Sequence, residues 1–455
     1  MRLGPDTLRH LPAHVARPPY DPAAQAIGVV HFGLGAFARA HLAAYCDAAM
    51  ASGESGWAIT GVSLRSRKVS EQVNPQGGLY TLTERSSDGP ATYVVGALRE
   101  VLVAGRQSEA IVERIAAPTC HIVSFTVTEK GYCRAADGSV DANAAGASFY
   151  PLLAAALRRR MDDGLPGLTL LSCDNLPSNG RLLGELLAGW LQHEAPDVAE
   201  WFAANCTTPC TMVDRIVPAS TPGDLAALEQ RLGMADKAGV FTETFSQFVI
   251  EDNFAGPRPA FDRYGAQIVA DVAPFETAKL RMLNGAHSLL AYRGLQAGHE
   301  YVHQAMADPA IRAAVERLMR EEAAPTLRPA PGQDLSSYAA QLLHRFDNPA
   351  LQHRLAQIAM DGSQKLPQRW LATLAAAEGP CPAILSGIAA FLWHVKDGRW
   401  LDDPLADWLW QEVAARRLDG QVTALFGPGG LLRSEWIPSS EDIAMIEAAF
   451  EEQTA

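Results

Sequence analysis

Apolar and polar positions along this chain follow two different periods. Ile27-Gly28-Val29-Val30-His31-Phe32 is a short apolar run that suits a buried parallel strand. Further strand candidates lie at Trp57 to Val62, Ile122 to Val127 and Leu168 to Ser172. Between them stand stretches of helical period, Arg39 to Met50, Gln107 to Ala116 and Phe149 to Asp162. Strand–helix alternation of this kind predicts a parallel sheet covered by helices on both faces. After about residue 270 the texture changes. Phe275 to Gln296, Asp308 to Glu322, Ser336 to Phe346, Asn348 to Met360 and Pro382 to His394 all read as helices, so the last part of the chain predicts a helical domain. The expected division is an α/β domain over 1–270 and a mainly helical domain over 271–455, with no internal repeat.

Composition narrows the classes. The 455 residues are 48% hydrophobic and 20% charged, the balance of a folded chain rather than a disordered one. Thirty-eight Lys and Arg against 51 Asp and Glu give a net charge of −13, a poor match for nucleic acid or an anionic membrane. The longest uncharged apolar stretch, Gly379 to Val395, carries Pro380 and Pro382 and reads as a buried helix rather than a membrane span. The first twenty residues look like a surface arm and lack the apolar core of a secretory signal. Seven cysteines at irregular spacing give no disulfide framework. A reduced, cytoplasmic protein is expected.

Directly after the first strand, Gly33-Leu34-Gly35-Ala36-Phe37-Ala38 fits the G-x-G-x-x-G/A dinucleotide fingerprint. The first glycine allows a tight turn, the second lets the backbone approach a pyrophosphate, and the small last residue permits close helix–strand packing. Gly33, Gly35, Ala36 and Phe37 are therefore coenzyme candidates. The alternative is a glycine turn of packing value only. The second strand should end in an acid for the adenosine ribose. Here it runs into Ser63-Leu64-Arg65-Ser66-Arg67-Lys68, with no acid before Glu71. A basic turn suits a 2′-phosphate better than free hydroxyls, which makes Arg65 a coenzyme candidate and leaves the phosphate open.

His299-Glu300-Tyr301-Val302-His303 spells H-E-x-x-H, the zinc-protease pattern, in which one helix presents both histidines. No third ligand follows at a familiar spacing, and Gly298 stands where a helix breaks or begins. A helix with two polar histidines is the favoured reading, and no metal is expected. In Lys279-Leu280-Arg281-Met282-Leu283-Asn284-Gly285-Ala286-His287, a regular helix places Asn284 about 140° and His287 about 80° around from Lys279. An amine, an amide and an imidazole on one side of a helix suit metal-free work on a secondary alcohol, though an amphipathic helix with exposed polar groups fits the pattern equally well.

These segments resemble the long-chain polyol dehydrogenases, the family of mannitol 2-dehydrogenase and D-mannonate oxidoreductase (fructuronate reductase). The resemblance runs through nearly the whole chain. It is carried by Val30 to Phe37, Gly78-Leu79-Tyr80-Thr81-Leu82, Thr126-Val127-Thr128-Glu129-Lys130-Gly131-Tyr132 and Ser172-Cys173-Asp174-Asn175-Leu176-Pro177. Met212 to Pro218, Val249 to Phe254, Lys279 to His287 and Asp361-Gly362-Ser363-Gln364-Lys365-Leu366-Pro367 continue it in the same order. It implies a Rossmann-type N-terminal domain, a mainly helical C-terminal domain, a substrate taken in the cleft between domains, and no zinc. It also implies a catalytic Lys279, an oxyanion pair at Asn175 and Asn284, a substrate-orienting His287, Asp214 near the coenzyme and Lys365 near the substrate. The basic turn at Arg65 departs from mannitol-type members, which carry acids there. Thr208 stands where the family usually has Phe. Gln357 to Arg369 looks more like the mannonate branch.

The expected reaction interconverts a secondary hydroxyl and a ketone on a linear sugar acid or polyol. D-Mannonate and D-fructuronate are the preferred pair, with D-mannitol and D-fructose second. NAD(H) is expected from the family, with NADP(H) the alternative. A hexonate carboxylate needs a cation, and Lys365 or Arg369 supplies one, with Arg281 a weaker choice. An ordinary lysine titrates near about 10.4, so the site must depress Lys279 by burial or neighbouring positive charge. Two rival classes are a zinc hydrolase on the H-E-Y-V-H segment and a nucleotide-sensing module without chemistry. Oligomeric state is open.

Overall fold

Along β1 (Ile27–Phe32), Val29 faces one apolar layer while Val30 and Phe32 face the other. Successive side chains of a strand point to opposite faces, so this alternation needs cover on both sides. The computed structural model describes residues 1–399 and 401–454 and shows that cover in full. The other strands are β2 (Ala58–Ser63), β3 (Tyr80–Arg85), β4 (Ala91–Val95), β5 (Leu98–Val103), β6 (Ile122–Phe125) and β7 (Thr169–Ser172). After them come β8 (Thr211–Asp214), β9 (Val240–Glu243), β10 (Gln247–Glu251) and β11 (Gln267–Val269).

Five strands form the central sheet in the order β5-β2-β1-β6-β7, and every pair in it is parallel. Leu42 to Met50 cover one face, and helices Ser108–Ala116, Tyr150–Asp162 and Asn179–Glu194 cover the other. The chain leaves β1 towards β2 on one side and returns through β6 on the other, so the strand order reverses beside β1. In doubly wound sheets, ligands bind at the carboxyl ends of strands at such a point. Two smaller sheets, β11-β10-β8 and β4-β3-β9, complete this part. The alternation predicts β1, β2, β6 and β7. The remaining strands are short and mostly buried, a pattern that periodicity cannot separate from loop or buried helix.

Contacts divide the chain into two compact units, Met1–Val272 and Ala273–Ala455. The second is helical, its core built around Pro382–Asp397, which packs on Gly285–Gln296. Pro382 opens that helix and Gly398, at φ 71, closes it, the usual asymmetry of helix ends. The buried Glu322 carboxylate accepts the Ala383 and Ile384 N–H groups at 2.7 and 2.9 Å, satisfying two donors that the helix itself leaves open. Among the described residues, no helix is long and apolar enough to cross a membrane.

Several expected helices are interrupted. Arg39 to Met50 breaks at His41, which leaves helical geometry (φ −113, ψ −91) and donates through Nε2 to the Gln247 carbonyl at 3.0 Å. Asn348 to Met360 is a short turn, Pro349–Leu351, then a left-handed Gln352, an extended Arg354 and a helix over Leu355–Ala359. Phe275 to Gln296 contains a π-helical segment at Lys279–Asn284. Thr208 lies against Gly184 of the helix Asn179–Glu194, where a Cβ on the glycine would meet its Oγ1 at 2.7 Å, so the small pair packs closely.

Candidate functional site

At the carboxyl end of β1 the glycine turn is held from beneath. Gly33 has φ 85, and a Cβ there would lie 2.2 Å from the Thr126 carbonyl oxygen, so only glycine fits. Thr126 Oγ1 donates to the Gly33 carbonyl at 2.9 Å, so it accepts from His31 Nε2 at 2.8 Å. His31 Nδ1 then accepts from Ser124 Oγ at 2.8 Å, a tautomer assigned from the network. Burial holds this imidazole far below its ordinary value, at about 3, and the relay needs it uncharged. His31 is a supporting residue that motif reading passes over, although it stands two positions before Gly33.

Gly35 differs from Gly33. A Cβ on it would find only the Gly33 oxygen at 3.8 Å, so the backbone faces open space. An unobstructed backbone beside the strand-order reversal fits a pyrophosphate. Ala36 and Phe37 begin the helix that follows, and Ala38 is buried against the sheet. In the basic turn, Arg67 pairs with Glu71 at 3.0 Å, and Ser66 Oγ accepts the Lys68 N–H. Arg65 and Lys68 are exposed.

Asn175 is exposed in the loop after β7, at the carboxyl end of the same parallel sheet as Gly33 and Gly35. Its neighbour Asp174 is buried and accepts three bonds, from Val127 N–H at 3.0 Å, Thr128 N–H at 2.8 Å and Tyr132 O–H at 2.8 Å. Burial pushes the Asp174 carboxyl up, and these donors oppose the rise. The acid thereby ties the Ser172–Pro177 segment to the Thr126–Tyr132 segment. It holds Thr128 at φ 63 and ψ 169, a region nearly exclusive to glycine, at a cost of about 1–3 kcal/mol. Asn179 donates to the Asp174 and Thr211 carbonyls at 2.9 and 3.0 Å. That links the Asn175 loop to β8, which ends in the buried Asp214.

In the second unit the π-helical segment changes the expected geometry. The Gly285 N–H donates to the Leu280 carbonyl five residues back, so one extra residue fits into the turn. Asn284 then takes the angular place of a residue four after Lys279, and His287 that of one seven after. The separations from Lys279 fall to about 40° and about 20°, a tighter stripe than the regular helix predicts. All three are buried. A second π-helical segment, Pro367–Leu371, locks the first. Trp370 Nε1 donates to the Gly285 carbonyl at 3.0 Å, and Arg369 Nη1 donates to Ser288 Oγ at 2.8 Å.

Cations gather about His287. Burial, His353, Arg345, Arg369 and Lys279 together hold its imidazole well below the ordinary range. Arg369 is lowered by burial to about 10. Lys365 donates to the Met360 carbonyl at 2.6 Å and stands 3.8 Å from Asp361, and burial with Arg369 lowers it. Arg281 turns to the Thr326 carbonyl and hydroxyl instead.

The H-E-Y-V-H segment does not form the expected helix. Helix begins at Val302, so His299 lies outside it, with Nε2 4.0 Å from Asp308. His303 stacks on Tyr301, ring centroids 5.8 Å apart.

The chain matches two family profiles, the mannitol dehydrogenase Rossmann domain over residues 27–263 and the mannitol dehydrogenase C-terminal domain over 271–424. D-Mannonate oxidoreductase of Escherichia coli strain K12 is 39% identical, over 96% of this chain and 95% of that protein. A mannitol 2-dehydrogenase of Aspergillus fumigatus is 37% identical, over 88% and 86%. Among solved structures, Pseudomonas fluorescens mannitol 2-dehydrogenase in ternary complex with NAD and D-mannitol has a TM-score of 0.85. It is 31% identical, over 100% of this chain and 97% of that one. D-Sorbitol dehydrogenase in substrate-free form gives a TM-score of 0.91 at 31% identity, over 99% and 97%.

Proposed function

The chain belongs to the mannitol dehydrogenase family, and from that premise we propose that it oxidises D-mannonate to D-fructuronate, and the reverse, with NAD(H). D-Mannitol and D-fructose are the second pair. The reaction is nicotinamide-dependent and acts on a secondary CH–OH group of a small linear substrate. The first 270 residues bind coenzyme, and residues 271–455 carry the proton-transfer group. The composition suits the cytoplasm, since all seven cysteines are free thiols.

The observation that carries the substrate choice is the cationic setting of His287. Lys279, Arg345 and Arg369 all act on it, and Lys365 stands beside Arg369. A hexonate differs from a polyol by one carboxylate, and a half-buried guanidinium is a strong partner for that group. Arg369 bonds a neutral hydroxyl, which leaves its charge uncompensated by that contact. Lys365 already faces Asp361. Arg369 is therefore the preferred carboxylate partner and Lys365 the second.

When bound, the nicotinamide ring supplies the hydride acceptor or donor. Gly33, Gly35, Ala36 and Phe37 would hold the pyrophosphate and Arg65 the adenosine side, and the family resemblance assigns Asp214 to the neighbourhood of the coenzyme. In oxidation, neutral Lys279 takes the hydroxyl proton as the C–H hydride departs. In reduction, protonated Lys279 returns a proton to the developing alkoxide. The family resemblance assigns the amides of Asn284 and Asn175 as donors to that oxygen, a contribution of roughly 2.7–4 kcal/mol for each donor that is preorganised. His287 orients a neighbouring hydroxyl.

The test is coenzyme-linked absorbance with D-mannonate, D-mannitol and D-arabinitol, each with NAD⁺ and NADP⁺. D-Mannonate with NAD⁺ is expected to give the highest kcat/KM. Turnover of mannitol with none of mannonate overturns the substrate order. A roughly tenfold preference for NADP⁺, a difference of about 1.4 kcal/mol, gives the Arg65–Lys68 turn the deciding role instead.

A further inference from the structure

The H-E-Y-V-H segment forms a backbone bridge. Tyr301 pairs antiparallel with Arg354. The Val302 N–H donates to the His353 carbonyl and the Leu355 N–H to the Glu300 carbonyl, both at 3.0 Å. The Arg354 guanidinium lies 5.9 Å over the Tyr301 ring and 3.6 Å from Glu300. Just before the bridge, Gln352 adopts φ 46 and ψ 46, the left-handed conformation that few side-chain-bearing residues accept. His353 is thus fixed by a turn before it, a bond at its own carbonyl and the helix Leu355–Ala359 after it.

Its ring meets His287 at 5.4 Å between centroids and 87° between planes. Phe346 approaches the same His287 ring at 4.8 Å and 48°. The imidazole is therefore wedged between two rings brought by different elements. Within the wedge, His287 Nε2 and His353 Nδ1 are buried without a protein partner.

We propose that His353 is a positioning residue for His287: the bridge from the H-E-Y-V-H segment sets the His353 ring, and that ring sets the rotation of the imidazole that meets the substrate. The inference rests on the reading of His287 as the substrate-orienting group. Rotation matters because the surroundings keep both rings uncharged. Burial and Arg345 bring His353 down to about 4, and burial, His353, Arg345, Arg369 and Lys279 lower His287. A neutral imidazole has one donor and one acceptor nitrogen, so its rotation decides which of them a substrate hydroxyl meets. The χ2 torsion of histidine is broad, and a neighbouring ring edge-on restricts it.

A double-mutant cycle on the full-length protein tests this. His353→Ala is expected to lower kcat/KM about tenfold and His287→Ala about a hundredfold, with the double variant no worse than His287→Ala alone. His353→Phe keeps a ring at the His287 edge and should retain roughly half of wild-type activity. Losses that multiply in the double variant, or a His353→Phe variant as poor as His353→Ala, overturn the proposal. Imidazole ¹⁵N shifts at pH 7 give a second readout that needs no substrate. The His287 signals should move in His353→Ala and stay in place in His353→Phe. If they are unchanged in His353→Ala, the proposal fails whatever the turnover. If the wild type turns over no polyol or hexonate, the functional reading fails while the shifts still decide the positioning role.

Discussion

The N-terminal unit holds its candidate binding groups at the ends of regular strands, and the C-terminal unit holds its own on departures from regular helix. Gly33, Gly35 and Asn175 follow the carboxyl ends of strands in a parallel sheet whose register is continuous from β1 through β6 to β7. Lys279 and Asn284 lie on a π-helical segment and Arg369 on another. Three imidazoles at these sites differ as well. His31 bonds through both ring nitrogens, whereas His287 and His353 each keep a buried nitrogen without a protein partner. A fully bonded group supports its neighbours and has nothing left for a ligand. An unpaired buried group costs about 1–3 kcal/mol until a partner arrives, which suits a surface that substrate completes. Under the proposed function, the first unit would hold a constant ligand and the second would act on a changing one.

The sharpest way to break that division is to remove the amine. Lys279→Ala should lower kcat/KM by roughly 10²- to 10⁴-fold, the usual range for a general acid–base group. Coenzyme affinity, measured by fluorescence titration, should change little, because the glycine turn is intact. The wild-type profile for oxidation should rise with an ionisation below about 10.4 that the variant lacks. Retention of more than about a tenth of the activity with the same profile assigns the proton to another residue.

Acid should separate the units next. His31 is uncharged in the fold, with its value near 3, while the unfolded chain protonates it near about 6.5. Between those values the unfolded state binds the extra proton, so stability falls as pH drops from about 6.5 and the loss ends near the folded value. From pH 7 to pH 4 this one group removes up to about 3 kcal/mol. His287 and His353 act in the same direction in the other unit. Urea unfolding at pH 7 and pH 4.5 measures the total, and His31→Gln should flatten the pH dependence of the first unit. An unchanged slope in that variant means the relay through Thr126 does not carry the effect.

The contrast also explains what could be read from the chain alone. β1 and its glycine turn were legible because a short apolar run followed by G-x-G-x-x-A has few other solutions. The nearness of Lys279, Asn284 and His287 was legible in kind but not in degree. Residue spacing assumes 3.6 residues per turn, and an inserted residue leaves no mark in the pattern of apolar positions. The inserted residue is held from outside, by Trp370 reaching the Gly285 carbonyl from 85 positions away. His31 and Asp174 were overlooked for a related reason. Their roles lie in bonds to Thr126 and to Val127 and Thr128, which the sheet brings together and the linear order does not. His353 was hidden inside a stretch expected to be helix, where an extended bridge stands instead.

Two glycines sharpen the reading of the first unit. Gly35→Ala has a permissible backbone (φ −110) and space around its Cβ, so thermal stability should be nearly unchanged. Coenzyme should nevertheless bind at least about tenfold more weakly, since the methyl group would occupy the approach of the pyrophosphate. Gly33→Ala meets the Thr126 carbonyl at 2.2 Å and should lose stability as well. Equal coenzyme affinity in Gly35→Ala and wild type would move the pyrophosphate away from this turn.

The smallest expected effect concerns the segment that most resembles a metal site. In a zinc protease the two histidines of H-E-x-x-H share one helical face, and the glutamate between them serves as general base. Here the helix starts at Val302, leaving His299 in the preceding loop, and the carboxylate of Glu300 lies 3.6 Å from Arg354. The backbone on either side of Tyr301 is committed to the bridge with His353 and Leu355. Bringing His299 onto the face of His303 would require the helix to begin a turn earlier and the bridge to open. Activity should therefore survive prolonged dialysis against EDTA with kcat and KM unchanged, and added zinc should restore nothing because nothing is lost. A fall in turnover on chelation that zinc reverses would mean that the segment closes around a metal in the working enzyme. The bridge would then be the resting form of that site, and the second unit would owe its chemistry to a metal as well as to Lys279.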